Sequence, residues 1–224
     1  MSGGPPWVCI RHVEFEGPGL FATVAKGHGI ELRTVATDLD ARVPQVDEVG
    51  GVIVMGGPWS VGDAATRPHL ADEISLLGDA ARAGLPVMAI CLGAQLLASG
   101  LGAQVGPARE EERGMRDVEL TADGASDPVL GPDGPVLRAF QYHGETLELP
   151  AGAASLATSA ACPQQAFRAG DVAYGLQFHI ELPDPFAEFI PEGPRPTDAE
   201  RRSLSELGRR IIDRFFTIAT QEAR

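Results

Sequence analysis

The chain has 224 residues, enough for one sizeable core, and with no low-complexity tract or compositional break it reads as a single domain over 1–224. A net charge of −13 and a pI near 4.7 repel phosphate backbones and anionic lipid, which argues against nucleic-acid and membrane-surface partners. Cys9, Cys91 and Cys162 are too few and too far apart for a disulfide framework or a zinc pattern. No run approaches spanning length and the start lacks the basic and apolar regions of an export signal, so a reducing cytoplasm is expected.

In chain order, an extended segment over 7–12 is followed by Glu16, Gly17, Pro18 and Gly19, which turn the chain into a short helix over 20–26 ended by Gly27 and Gly29. Strands over 30–35 and 49–55 come next, the second apolar on both faces as a buried parallel strand is. Met55 leads into Gly56, Gly57 and Pro58, a loop whose glycines expose backbone N–H groups, although an ordinary turn explains such a triplet equally well. Pro68 opens a helix with Leu70, Ile74, Leu77 and Ala81 on one face and Gly84 as its stop. The alternation points to a doubly wound α/β sheet with loops for chemistry at the C-terminal strand ends.

The apolar run Pro86 to Ile90 stops at Cys91 and passes within two residues into helix-forming sequence. Strand, tight turn and helix place the thiol near a helix N-terminus, where unpaired N–H groups and the macrodipole stabilise negative charge. Gly93 allows a close backbone approach, the device of a nucleophile elbow. A small buried core residue is the competing reading of Cys91. Farther on, strands over 115–120, 136–142, 155–158, 165–169 and 172–178 are separated by Gly, Pro and Asp turns, which predicts a partly antiparallel extension. The charge-dense 108–116 reads as a solvated turn. The glycines over 100–106 have the wrong spacing for a dinucleotide fingerprint, and there is no P-loop.

His179 and Glu181 end the strand that begins at Gly175. Residues i and i+2 of an extended chain face the same way, so Glu181 can orient the imidazole and leave its other nitrogen to activate a thiol. His143 competes as the base, but its own acid, Glu145, lies beyond Gly144, where extended geometry is doubtful. His12, His28 and His69 read as surface residues, and Cys9 and Cys162 as inert. Pro183 to Pro196 is a stiff apolar segment, either a packed connection or, in a functional reading, a wall of the site or a docking surface for an acceptor domain. Thr197 to Glu200 is a capping box ahead of a stripe of Leu204, Leu207, Ile211, Phe215 and Ile218, a long closing helix.

Four motifs, Met55-Gly-Gly-Pro-Trp-Ser60, Cys91-Leu-Gly-Ala-Gln95, Gln141-Tyr-His-Gly-Glu145 and Gly175-Leu-Gln-Phe-His-Ile-Glu181, together resemble the class I (triad) glutamine amidotransferases, the type found in GMP synthetases and their stand-alone relatives. The resemblance implies a three-layer flavodoxin-like fold with a central, mainly parallel sheet. It implies catalysis by Cys91, His179 and Glu181, an oxyanion hole from the N–H groups of Gly57 and Leu92, and a glutamine site lined by Gly56, Gln95 and His143. No cofactor and no metal are expected. Three departures stand out: Ile180 replaces a common proline, Glu145 a common aspartate, and Glu112-Arg-Gly-Met115 a common Glu-Ile-Gly-Trp. The implied activity is hydrolysis of glutamine through a thioester, with ammonia for a separate synthetase. The alternatives are a γ-glutamyl peptidase, and a catalytically idle subunit that binds glutamine or a partner.

Overall fold

A computed structural model describes residues 4–182 and 194–222. Strands β1 (Trp7–Arg11), β2 (Leu32–Ala36), β3 (Gly51–Val54), β4 (Val87–Ile90), β5 (Val105–Leu120), β6 (Val136–Leu147), β7 (Ala154–Thr158), β8 (Ala166–Ala169) and β9 (Ala173–Leu176) form one sheet. Its order is β2-β1-β3-β4-β9-β8-β7-β5-β6. The first five in that order run parallel, and every pairing from β9 to β6 is antiparallel, which is the expected extension. Past β9, His179 bridges antiparallel to Phe140 of β6, so the extension curls back onto the strand where it began.

Helices α1 (Gly19–Gly27) and α5 (Asp198–Glu222) cover one face, α2 (Pro68–Arg82) and α3 (Leu92–Gly100) the other, and a short α4 (Ala122–Ser126) follows β5. Ile53, Met88 and Tyr174 share a core with Phe21 of α1 and with Ile211 and Phe215 of α5. Val52, Val54, Val87 and Ala89 pack against Leu70 and Leu77 of α2 and Leu96 and Leu97 of α3. Successive residues of one strand therefore serve opposite cores, which is why β3 and β4 are buried at every position. The helix stops and starts follow local chemistry: Pro68 stands in the first turn of α2, and Thr197 and Glu200 cap α5 reciprocally.

Two local expectations are corrected. The charged stretch 108–116 is no turn but the middle of β5, paired to β6 with a register shift between Pro107 and Glu112. Arg109, Glu110 and Glu111 lie in that register shift and are exposed in succession, as a bulge allows, and Arg116 faces outward from the paired part, while Glu112 and Met115 turn inward. Strand β6 also continues through Gly144 to Leu147, pairing with β5 on both sides of the register shift that falls at Gly144. Of the proline-rich segment, residues 183–193 lie outside the described residues.

Helix α5 rests directly on the backbone that carries the histidine and its acid. A Cβ added at Gly208 would stand 1.9 Å from the carbonyl oxygen of Ile180. Alanine gains about 1 kcal/mol of helix propensity over glycine, but overpacking against a rigid carbonyl costs about 1–3 kcal/mol or more. Gly208→Ala should therefore lower the urea midpoint, whereas the same change at an exposed helical site would raise it.

Candidate active site

The elbow at Cys91 is built from three backbone constraints. The residue sits at φ 51° and ψ −108°, a left-handed conformation costly for a side chain with a Cβ, by about 1–3 kcal/mol. Its N–H donates to the carbonyl of Leu176 on β9 at 2.8 Å, and its own carbonyl accepts from Gln95 as α3 begins, at 3.2 Å. Gly93 makes the turn possible, since a Cβ there would meet the Val54 carbonyl at 2.6 Å. The strain is held by pairing on one side and helix on the other.

His179 meets this thiol from the neighbouring strand. Its Nδ1 lies 2.8 Å from Glu181 Oε1, and Glu181 Oε2 accepts the N–H of Ile180 at 2.8 Å. The ring is also hydrogen-bonded to the Cys91 side chain. Burial works against a charged ring, but the Glu181 carboxylate and the Cys91 sulfur outweigh it and hold the imidazole well above its ordinary value. Gln177, two residues earlier on the same side, donates its amide to Cys91 Sγ at 3.7 Å and accepts from Gln95 at 3.2 Å. With isoleucine in place of proline at 180, the N–H of that residue becomes the donor that fixes the carboxylate.

Sequence reasoning missed a second layer beneath the Gly56–Gly57 loop. His12 is fully buried and no surface residue. Its Nδ1 donates to the Gly56 carbonyl at 2.8 Å, and its Nε2 lies 2.8 Å from Glu73 Oε2 of α2. Both ring nitrogens thus face acceptors. Burial opposes charging, yet the Glu73 hydrogen bond and charge, aided by the Gly56 carbonyl, raise this histidine above its usual value. Glu16 reaches the same spot. A Cβ added at Gly56 would stand 2.4 Å from Glu16 Oε2, 3.0 Å from His179 Cε1 and 3.5 Å from Cys91 Cβ. Burial pushes the Glu16 carboxyl up, opposed by the His179 imidazole and assisted by Glu181, and its Oε2 is buried without a hydrogen bond. One signal was available for both residues: His12 directly follows β1 and Glu16 lies in the loop after it, at the C-terminal rim where such sheets carry their sites.

A cleft of about 320 Å³ opens over the thiol, lined among others by Gly57, Ser60, Leu92, Gln95, Tyr142 and His143. A larger cavity of about 600 Å³ between α1 and α5 touches Glu181 but not Cys91, so the thiol faces the smaller one. Glu145 accepts a hydrogen bond from Ser60 Oγ at 2.8 Å and closes one wall, while His143 donates from Nδ1 to the main-chain oxygen of Glu145 at 2.9 Å. His143 is therefore not oriented by the Glu145 carboxylate. Cys9 is buried and its thiol pushed up by that burial. No helix among the described residues is long and apolar enough to cross a membrane.

An α/β sheet with a cysteine elbow at the end of one central strand and a histidine–carboxylate pair just past the next belongs to a known architecture. The family model for glutamine amidotransferase class-I matches residues 22–184, and the chain belongs to that family. It is 32% identical over 179 residues to the glutamine amidotransferase-like protein YfeJ of Salmonella typhimurium, covering 77% of this chain and 74% of that one. It is 33% identical over 198 residues to one subunit of the glutamine-hydrolyzing GMP synthase from Haloarcula marismortui, covering 86% and 87%. The longer GMP synthase of Pediococcus pentosaceus matches at 36% identity over only 24% of its length. Among solved structures, a glutamine amidotransferase from Thermotoga maritima superposes with a TM-score of 0.82 at 28% identity, covering 95% of this chain and 98% of that one.

The buried His12 makes stability depend on pH with a definite sign. Histidine in an unfolded chain titrates near about 6.5, and the folded value lies above that. The stabilisation is complete below about pH 6.5 and is lost as pH rises through the folded value, because unfolding then releases the proton. His179 acts in the same direction. The urea midpoint should fall from about pH 6 to about pH 8. Glu73→Gln should make that fall shallower, and Glu73→Leu should cost about 3–5 kcal/mol by stranding the ring.

Proposed function

We propose that the chain is a glutaminase of the amidotransferase type, working as one domain over 1–224 in the reducing cytoplasm. Cys91 gives its proton to His179 and attacks the side-chain carbonyl carbon of glutamine. The ring then hands that proton to the departing nitrogen, and ammonia leaves as the thioester forms. Water, deprotonated by the same ring, attacks the thioester. Glutamate departs and the thiol recovers its proton. Glu181 keeps the ring in the productive orientation and stabilises its charged form.

The oxyanion is assigned to the N–H groups of Gly57 and Leu92. The first of these belongs to the same peptide unit as the Gly56 carbonyl, and in a trans peptide the two point in opposite directions. His12, braced by Glu73, grips that carbonyl and so aims the N–H toward the cleft. Gln95, His143 and the backbone at Gly56 are assigned to the bound glutamine. The observation that carries the reading is the buried His179, hydrogen-bonded at once to Cys91 and Glu181 beside an open cleft. The likeness to a GMP synthase that is divided into subunits supports a separate synthetase as the acceptor of the ammonia.

Purified protein incubated with glutamine should release glutamate. Cys91→Ala should lower the rate by about 10⁴-fold or more, and Glu181→Gln by about 10³–10⁴-fold by favouring the wrong tautomer. His12→Ala should lower kcat by about 10-fold to 100-fold with KM little changed, somewhat less than outright loss of an oxyanion donor. Glutamate release undiminished in Cys91→Ala overturns the mechanism. Turnover of a γ-glutamyl dipeptide but not of glutamine replaces the reading with a peptidase, and turnover of neither replaces it with an idle binding protein.

A further inference from the structure

Glu112, His143 and Cys162 come from three different elements and meet inside the protein. Glu112 on β5 stands directly opposite His143 on β6 in the register of the two strands. Cys162 lies in the turn between β7 and β8, held by the bonds of Ser159 N–H to the Cys162 carbonyl at 2.9 Å and of Cys162 N–H to Ser159 Oγ at 3.1 Å. All three residues are buried, and one nitrogen, one sulfur and one carboxylate oxygen lie within 4.8 Å of one another.

The hydrogen bonds at this cluster leave a specific gap. His143 Nδ1 faces a carbonyl, which can only accept, so Nδ1 carries a proton. The neutral ring then presents the Nε2 lone pair to Glu112 Oε2 at 3.4 Å, acceptor against acceptor, and Nε2 is buried with no hydrogen-bond partner. A doubly protonated ring would face the Glu112 carboxylate across 3.4 Å, longer than an ordinary N–H···O hydrogen bond. A catalytic relay puts base and acid on opposite ring nitrogens, whereas His143 Nδ1 is already given to the Glu145 carbonyl and the Glu112 carboxylate faces Nε2.

We propose that this cluster is a binding site for a divalent cation of the zinc class, with Glu112, His143 and Cys162 as ligands. A cation among the three would turn opposed lone pairs into shared ones. Thiolate, imidazole and carboxylate together suit zinc or cobalt and not magnesium or calcium. The thiol would lose its proton to solvent on binding, and thiolate plus carboxylate would balance a charge of +2, which suits a buried site. The surroundings already have the form of an outer shell. His143 Nδ1 is tied to a carbonyl, Ser159 Oγ donates to the Glu112 carboxylate at 2.9 Å, and Gln165 Nε2 reaches the same group at 2.6 Å. Three protein ligands leave one tetrahedral position open. Because His143 also lines the cleft, the ion would stiffen the wall opposite Cys91.

Reduced protein stripped with EDTA and titrated with Co²⁺ should bind one equivalent and show a thiolate-to-cobalt charge-transfer band, which Zn²⁺ abolishes by displacement. The band should disappear in Cys162→Ser and persist in Cys91→Ser. Glu112→Gln should weaken Zn²⁺ binding by about tenfold or more. No band in the folded wild type overturns the proposal in favour of a plain histidine–carboxylate ion pair. A band lost in Cys91→Ser but kept in Cys162→Ser overturns it in favour of metal on the other thiol. Should Cys162→Ser not fold, as read by circular dichroism, Glu112→Gln decides, and unchanged affinity there overturns the site. None of these readouts requires turnover of glutamine, so the outcome is independent of the proposed activity.

Discussion

The structure turns on the adjacency of β4 and β9. The two strands are far apart in the chain and lie side by side in the sheet, and the bond from Cys91 N–H to the Leu176 carbonyl is the last rung between them. That rung holds Cys91 in a conformation its side chain would otherwise avoid. It also sets the spacing between the thiol and the chain that continues through Gln177 to His179. A single register therefore fixes elbow, imidazole and carboxylate together, and a slip of one residue would turn every one of these side chains to the opposite face.

Around that register lies an unusual concentration of buried charge. Within reach of the Gly56–Gly57 loop are His12 with Glu73, His179 with Glu181, and the half-buried Glu16. Buried pairs of this kind are poor stabilisers, since desolvation consumes most of what the attraction returns. Their value is directional. Each imidazole is gripped at both nitrogens, so neither ring can turn without stranding a partner, and the loop above His12 inherits that rigidity through the Gly56 carbonyl. Two carboxylate oxygens among these are left without a donor, Glu73 Oε1 and Glu16 Oε2, the latter placed against the backbone between thiol and imidazole.

The antiparallel arm contributes the other half of the cleft. By curling back so that Phe140 pairs with His179, β6 supports the histidine and delivers His143 and Glu145 to the wall facing Cys91. The same curl brings the turn after β7 under β5 and β6, which is how Cys162, unremarkable in the chain, comes to lie against Glu112 and His143.

Much of this was legible in the chain itself. Runs apolar at every position announced buried parallel strands, Pro68 and the Thr197–Glu200 box marked helix starts, and the i, i+2 spacing of His179 and Glu181 bound base and acid into one unit, because these signals act over a few residues. Cys91 was legible as an elbow for the same reason, with Gly93 two residues on. What stayed hidden needed distance. His12 and Glu73 carry no local pattern, and their partnership exists only because α2 packs over the end of β1. The charges of 108–116 looked like a loop, since sequence does not reveal that β5 would pair beside an edge with one face to water. Local chemistry determined the elements and marked the candidate groups. Strand order and the curl of the sheet decided which of those groups would meet, because contacts between distant segments are set by packing that no short window of sequence contains.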